Sequence, residues 1–175
     1  MKIFFTPRSV ILLIFAVLFF VPQVNAQTPP QYDIKANIDV EHKTITAQQS
    51  VTWTNDGDVD VSELVFHIYP NRRYSKKEAD FMWRFAGYFK VNPFPGGFAS
   101  GAMQIQRVSD DGKALKYSIE GKDQTILQVD LLQPLKPGES VSVAIDFTVD
   151  IPHATLGRLG WNDNVFRISR WHPIL

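Results

Sequence analysis

Residues 140–150 read Ser140-Val141-Ser142-Val143-Ala144-Ile145-Asp146-Phe147-Thr148-Val149-Asp150. Val141, Val143, Ile145, Phe147 and Val149 share one parity, and Ser140, Ser142, Asp146, Thr148 and Asp150 share the other. Successive side chains of a strand point to opposite faces, so this alternation describes a strand with one apolar and one wet face. Parallel sheets bury both faces, so such a pattern belongs to an antiparallel sheet.

The same reading extends outward. Pro137-Gly138 supplies a turn ahead of this strand, and Thr125 to Leu131 alternates Leu127, Val129 and Leu131 against Gln128 and Asp130. Asp111-Gly112 is a hairpin signal between Met103–Ser109 and Lys113–Glu120. Leu64 to Tyr69 is a short run stopped by Pro70, which has no amide hydrogen to continue a ladder. Ile45, Ala47, Val51 and Trp53 oppose a row of Thr, Gln and Ser before Asn55-Asp56-Gly57 turns the chain; Ile34, Ala36, Ile38 and Val40 make the first strand. Trp161 to Asn164 reads as a turn and Val165 to Ser169 as a last strand. The expected fold is mainly β, an antiparallel curved sheet or β-sandwich with one short helix. The helix falls in Ser75 to Pro95, where Phe81, Phe85, Tyr88 and Phe89 recur at helical spacing beside Lys76, Lys77, Glu78 and Asp80.

The chain begins Met1-Lys2, with Arg8 ahead of an apolar run from Val10 to Val21, then Pro22 and Val24-Asn25-Ala26. This is the pattern of a secretory signal peptide over residues 1–26. Its removal leaves about 150 residues (27–175), the size of one domain with its own core. Secretion or a periplasmic location follows, with no membrane association after the signal is removed. The sequence has no cysteine, so packing alone holds the fold and no cysteine-linked lipid anchor is expected. Lys plus Arg and Asp plus Glu both number 18, with no long run of one sign, which argues against nucleic acid as a partner.

Candidate chemistry is sparse. His42, His67, His153 and His172 are scattered, and no His-Glu-x-x-His sets two ligands on one helical face. Asp56, Asp58 and Asp60 have calcium-loop spacing, but Val61 stands where the loop needs glycine and His67 where it needs glutamate. Gly97-Phe98-Ala99-Ser100-Gly101 lacks the strand-to-helix setting of a nucleophile elbow. The basic run Asn71 to Lys77 reads as a solvated loop and helix start. No catalytic, cofactor-binding or metal-binding residue is therefore assigned. The aromatic group Phe81, Trp83, Phe85, Tyr88, Phe89, Phe94 and Phe98 fits three uses: burial in the domain's own core, a docking face for another domain, or a ligand cleft. Arg170-Trp171-His172-Pro173-Ile174-Leu175 ends the sequence in apolar residues, from which a continuing polypeptide is expected.

Five segments resemble the aminopeptidase N-like zinc metallopeptidases, in their bacterial exported branch. These are Tyr32-Asp33-Ile34, the Ile45 to Asn55 strand, Glu63-Leu64-Val65-Phe66-His67-Ile68-Tyr69-Pro70-Asn71, Leu135-Lys136-Pro137-Gly138-Glu139-Ser140 and Trp171-His172-Pro173-Ile174-Leu175. The resemblance covers essentially all of residues 27–175 and implies the N-terminal β domain of such an enzyme, a scaffold that walls one side of a peptide cleft. It implies that zinc and its ligands belong to a catalytic domain beyond Leu175, supplied in cis or in trans, and that peptide substrate is met only there. Phe81, Trp83, Phe85, Arg170, Trp171 and His172 are the implied interdomain or cleft-edge residues. Gly101-Ala102-Met103-Gln104-Ile105 looks like the family's Gly-Ala-Met-Glu-Asn motif, but it leads into an early strand and carries Gln104 in place of the acid. It is read as coincidence. The stretch Phe166 to Arg170 lacks the amide or acid that family members lend to a substrate amine, which departs from aminopeptidase specificity. The alternative from a different class is a free-standing exported β-sandwich module that binds a peptide or glycan through its aromatic surface.

Overall fold

The computed structural model describes residues 28–95, 97, 101–163 and 165–175. The expected signal peptide, Phe98 and Ser100 lie outside the described residues. Strands β1 (Gln31–Asp39), β2 (Thr44–Thr54), β8 (Ser140–Asp150), β4 (Ala102–Asp110) and β5 (Lys113–Ala114) form one sheet in that order. Strands β3 (Val61–His67), β7 (Ile126–Leu135) and β6 (Tyr117–Glu120) form a second, and β9 (Leu159–Asn162) pairs with β10 (Val165–Ile168) as a hairpin. All these strand pairings are antiparallel.

The strand read first is the centre of the larger sheet. β8 lies between β2 and β4, with Ile45 opposite Val149, Ala47 opposite Phe147 and Met103 opposite Val149. Val143, Ile145, Phe147 and Val149 are fully buried against Leu64, Phe66, Leu127 and Val129 of the smaller sheet, so the domain is a sandwich with one core. The opposite face of β2 and β8 is a row of polar rungs: Gln48 Nε2 donates to Asp146 Oδ1 (2.8 Å), Ser50 and Ser142 hydroxyls meet at 3.0 Å, and Thr54 and Ser140 at 2.8 Å. Cross-strand pairs of this kind fix register as well as solubility.

Three local expectations differ from the structure. The run Lys113–Glu120 is two short strands in different sheets. Asp111 and Gly112 (φ 44° and 77°) close the expected hairpin, but the chain then crosses at Leu115, which is buried and donates its N–H to Val108 O. Alternation alone cannot show a strand changing sheets. Trp161, read as part of a turn, lies inside β9; its ring stacks on His153 at 4.1 Å. Val40, read as part of the first strand, lies in the turn after β1, an edge strand whose outer end is exposed, with Ile38 and Val40 open to solvent.

The helix α1 spans Lys76–Tyr88. Ser75 caps it with a reciprocal box: its hydroxyl accepts the Glu78 N–H, and Glu78 accepts the Ser75 N–H at 2.8 Å. The residues it buries are Ala79 and Ala86, the small ones. The aromatic stripe faces outward, with Phe81 61%, Phe85 52%, Tyr88 84% and Phe89 56% exposed.

Candidate functional site

The end of the chain is woven into the sandwich. His67 and Ile174 exchange both backbone hydrogen bonds (2.7 and 3.0 Å), the Leu175 N–H donates to the Tyr32 hydroxyl (3.0 Å), and Gln49 Nε2 donates to Pro173 O (3.1 Å). Trp171 packs on Phe147 with ring centroids 6.0 Å apart, and His172 meets Tyr32 edge to face. Gln49 is fully buried, on the parity otherwise held by Ile45, Ala47 and Val51. A polar residue interrupting an apolar parity was the sequence signal for this anchor, and the strand pattern passed over it.

A second clasp joins the turn after β2 to the turn before β8. Asn55 is buried; its Nδ2 donates to Val59 O (2.8 Å) and Leu135 O (2.9 Å), and its Oδ1 accepts the Gly57 N–H (3.1 Å). Its backbone accepts from the Gly138 N–H and donates to Glu139 O. The five segments that carry the family resemblance are therefore the ones that grip one another: residues 32, 49, 67 and 173–175 in one clasp, and 55 with 135–139 in the other.

Arg170, Trp171 and His172 thus part company. The last two turn toward the sandwich, whereas Arg170 adopts a left-handed backbone (φ 56°) and lays its guanidinium 4.8 Å from the Tyr69 ring centroid. It stands at a cavity of about 260 Å³ between α1, the 3₁₀ turn Tyr69–Asn71 and the β9–β10 hairpin. Met82, Phe94, Leu156 and Leu159 give the cavity an apolar lining, and Arg72, Arg158 and Arg170 give it charge; no Asp or Glu is among its described wall residues. Asn71 fixes one wall: its Oδ1 accepts the Met103 N–H (2.6 Å) and its Nδ2 donates to Gln124 O (2.9 Å). These residues come from three distant stretches, so no local pattern in the sequence marked the cavity.

Arg72 donates to Glu78 Oε1 at 2.8 Å. The Ser75 backbone N–H, the Ser75 hydroxyl and Arg72 together hold the Glu78 carboxyl down to about 2. Phe81 and Phe85 stack parallel at 6.3 Å on the exposed side of α1, and Phe85 continues to Phe89 at 5.2 Å. Trp83 lies on another side of the helix, edge-on to Phe94 at 6.1 Å. The six cleft-edge residues named from the resemblance therefore occupy four places: Phe81 and Phe85 on the exposed helix face, Trp83 on another side of the helix, Arg170 at the cavity rim, and Trp171 and His172 in the chain-end clasp.

The described residues do not fit zinc. Among them no three His, Asp or Glu side chains converge. His42 pairs with Asp39 at 2.7 Å, His67 stacks on Tyr69, His153 on Trp161, and His172 contacts Tyr32. Asp56 of the calcium-like spacing accepts the Thr28 N–H at 2.7 Å. Gly101 serves packing at the start of β4: a Cβ there would stand 2.9 Å from Leu159 Cδ2 and 3.0 Å from Asp150 O. Among the described residues no helix is long and apolar enough to cross a membrane.

No protein-family profile and no curated protein matches the chain. Among solved structures, the chain is similar to M1 zinc metallopeptidases. One is the enzyme from Deinococcus radiodurans, at 12% identity and a TM-score of 0.42 over 70% of this chain. Others are a mutant two-domain M1 zinc metallopeptidase bound to L-arginine (12%, TM-score 0.46, 80% of this chain) and one bound to L-tryptophan (12%, 0.42, 70%). The chain spans 21% to 26% of the length of those chains.

Proposed function

We propose that this chain is the non-catalytic β domain of an exported aminopeptidase-like zinc metallopeptidase, a scaffold and cleft edge for a catalytic domain present in cis or in trans. The observation that carries the reading is the row Phe81, Phe85 and Tyr88 of α1 with Phe89 at its C-terminal cap, each more than half exposed. A contiguous aromatic row of this kind is a surface for covering by another polypeptide. The resemblance of the segments in the two clasps names the kind of polypeptide.

The test has two arms. Purified chain is assayed with zinc for hydrolysis of amino-acid amides; no turnover is expected, and zinc-dependent turnover refutes the scaffold role. A polypeptide bearing His-Glu-x-x-His, sought in the coding sequence downstream, is then co-expressed with the chain. Co-purification that Phe81→Ser and Phe85→Ser abolish supports the reading. The exposed aromatic row also favours the free-standing module, which would replace the proposal if the chain is a monomer that saturably binds a peptide or glycan through Phe81.

A further inference from the structure

We infer that the cavity beneath Arg170 is a binding site for an organic carboxylate with an apolar body, a class that includes a free amino-acid derivative and the C-terminal residue of a peptide. The inference goes beyond the scaffold role and requires no second domain.

Charge is the first ground. Three guanidinium groups line a cavity whose described walls hold no carboxylate, and one of them, Arg72, is met by Glu78. Arg158 and Arg170 remain as uncompensated positive charge at the rim, and the side chain of neither has a hydrogen-bond acceptor among the described residues. An arginine fork presents parallel N–H donors that match a carboxylate in a bidentate pair.

Geometry is the second. The face of the Arg170 guanidinium is occupied by the Tyr69 ring at 4.8 Å, so its in-plane N–H edges are the part left for a ligand. Its backbone is left-handed (φ 56°), a conformation costly for a residue other than glycine.

The lining is the third. Met82, Phe94, Leu156 and Leu159 offer apolar surface to the ligand's body, and about 260 Å³ suits one side chain rather than a polymer. A bare inorganic anion would leave that surface unused, so the occupant carries both a carboxylate and an apolar group.

Titration of the purified full chain with N-acetyl-L-phenylalanine, followed by calorimetry or by NMR shifts, tests this. The neutral amide of the same compound and inorganic phosphate serve as comparators. The carboxylate is expected to bind at least tenfold more tightly than either, with affinity falling as salt rises. Arg158→Gln and Arg170→Gln each should weaken it about tenfold, with Arg170→Lys in between because it keeps charge but loses the fork. Both arginines are exposed, so thermal melts should confirm that the variants fold. A short peptide ending in phenylalanine, compared with its C-terminal amide, separates a peptide terminus from a free acid as the source. Equal binding of acid and amide, equal binding of phosphate, undiminished binding by both glutamine variants, or no carboxylate binding up to about 10 mM overturns the assignment.

Discussion

Replacing Gln49 with methionine, and separately with alanine, isolates what the buried amide does at the chain-end clasp. Gln49 is 0% exposed; its Nε2 donates to Pro173 O at 3.1 Å, while its Oε1 is buried without a hydrogen-bond partner. The donated bond contributes about 1 kcal/mol, and the orphaned oxygen costs about 1–3 kcal/mol in lost hydration. Methionine keeps the length of the side chain and removes both terms, and the Pro173 carbonyl retains the His172 Nδ1 contact at 3.0 Å. Gln49→Met is therefore expected to change global stability by no more than about 1 kcal/mol, in either direction. Alanine also removes the γ-methylene and the volume of the amide and leaves a void, so Gln49→Ala should cost about 2–4 kcal/mol. For a domain of this size that lowers Tm by very roughly 5–15 °C. Urea melts of both variants read the difference. Methionine as destabilising as alanine would show that the hydrogen bond to Pro173, and not packing volume, holds strand β2 to the chain end, and would refute this accounting.

Asn55→Ala is expected to lose about 2–4 kcal/mol by chemical denaturation, because the buried Asn55 side chain's bonds to the Val59 and Leu135 carbonyls and from the Gly57 N–H vanish together; a loss under about 0.5 kcal/mol would mean the turns hold each other without it. Gly101→Ala forces a Cβ to within 3.0 Å of Leu159 Cδ2 and should cost about 1–3 kcal/mol in a thermal melt, with an unchanged Tm arguing against the close packing at β4. The Glu78 carboxyl sits below its ordinary 4.5, at about 2, so its contribution to the helix start is fully present above pH 4.5 and is lost as pH falls through about 2. Helical circular dichroism should therefore decline across that window in the native chain, and Glu78→Gln should flatten the decline; an identical decline in the variant would place the acid sensitivity elsewhere.

The elements that could be read directly were those whose identity is local. The alternation over 140–150 placed β8 because strand geometry sends neighbouring side chains to opposite faces, and Asp111-Gly112 placed a turn because its backbone requires positive φ. The clasp at Asn55 was legible only as a turn, since its partner Leu135 lies 80 positions away. The cleft-edge residues were legible as a set through family resemblance, but the structure distributes them over four places, two sides of α1, the cavity rim and the chain-end clasp.

From the sequence alone came the antiparallel β class, the single helix, most strand positions and the lack of a ligand motif, because these depend on the period of apolar residues and on turn chemistry within a few positions. Only the tertiary structure decided that α1 buries Ala79 and Ala86 and turns its aromatic stripe outward, that the chain changes sheets at Leu115, and that Arg72, Arg158 and Arg170 surround one cavity. Periodicity reports that a helix has two unlike faces, but which face packs depends on the room its neighbours leave: here the alanines are buried and the phenylalanines exposed.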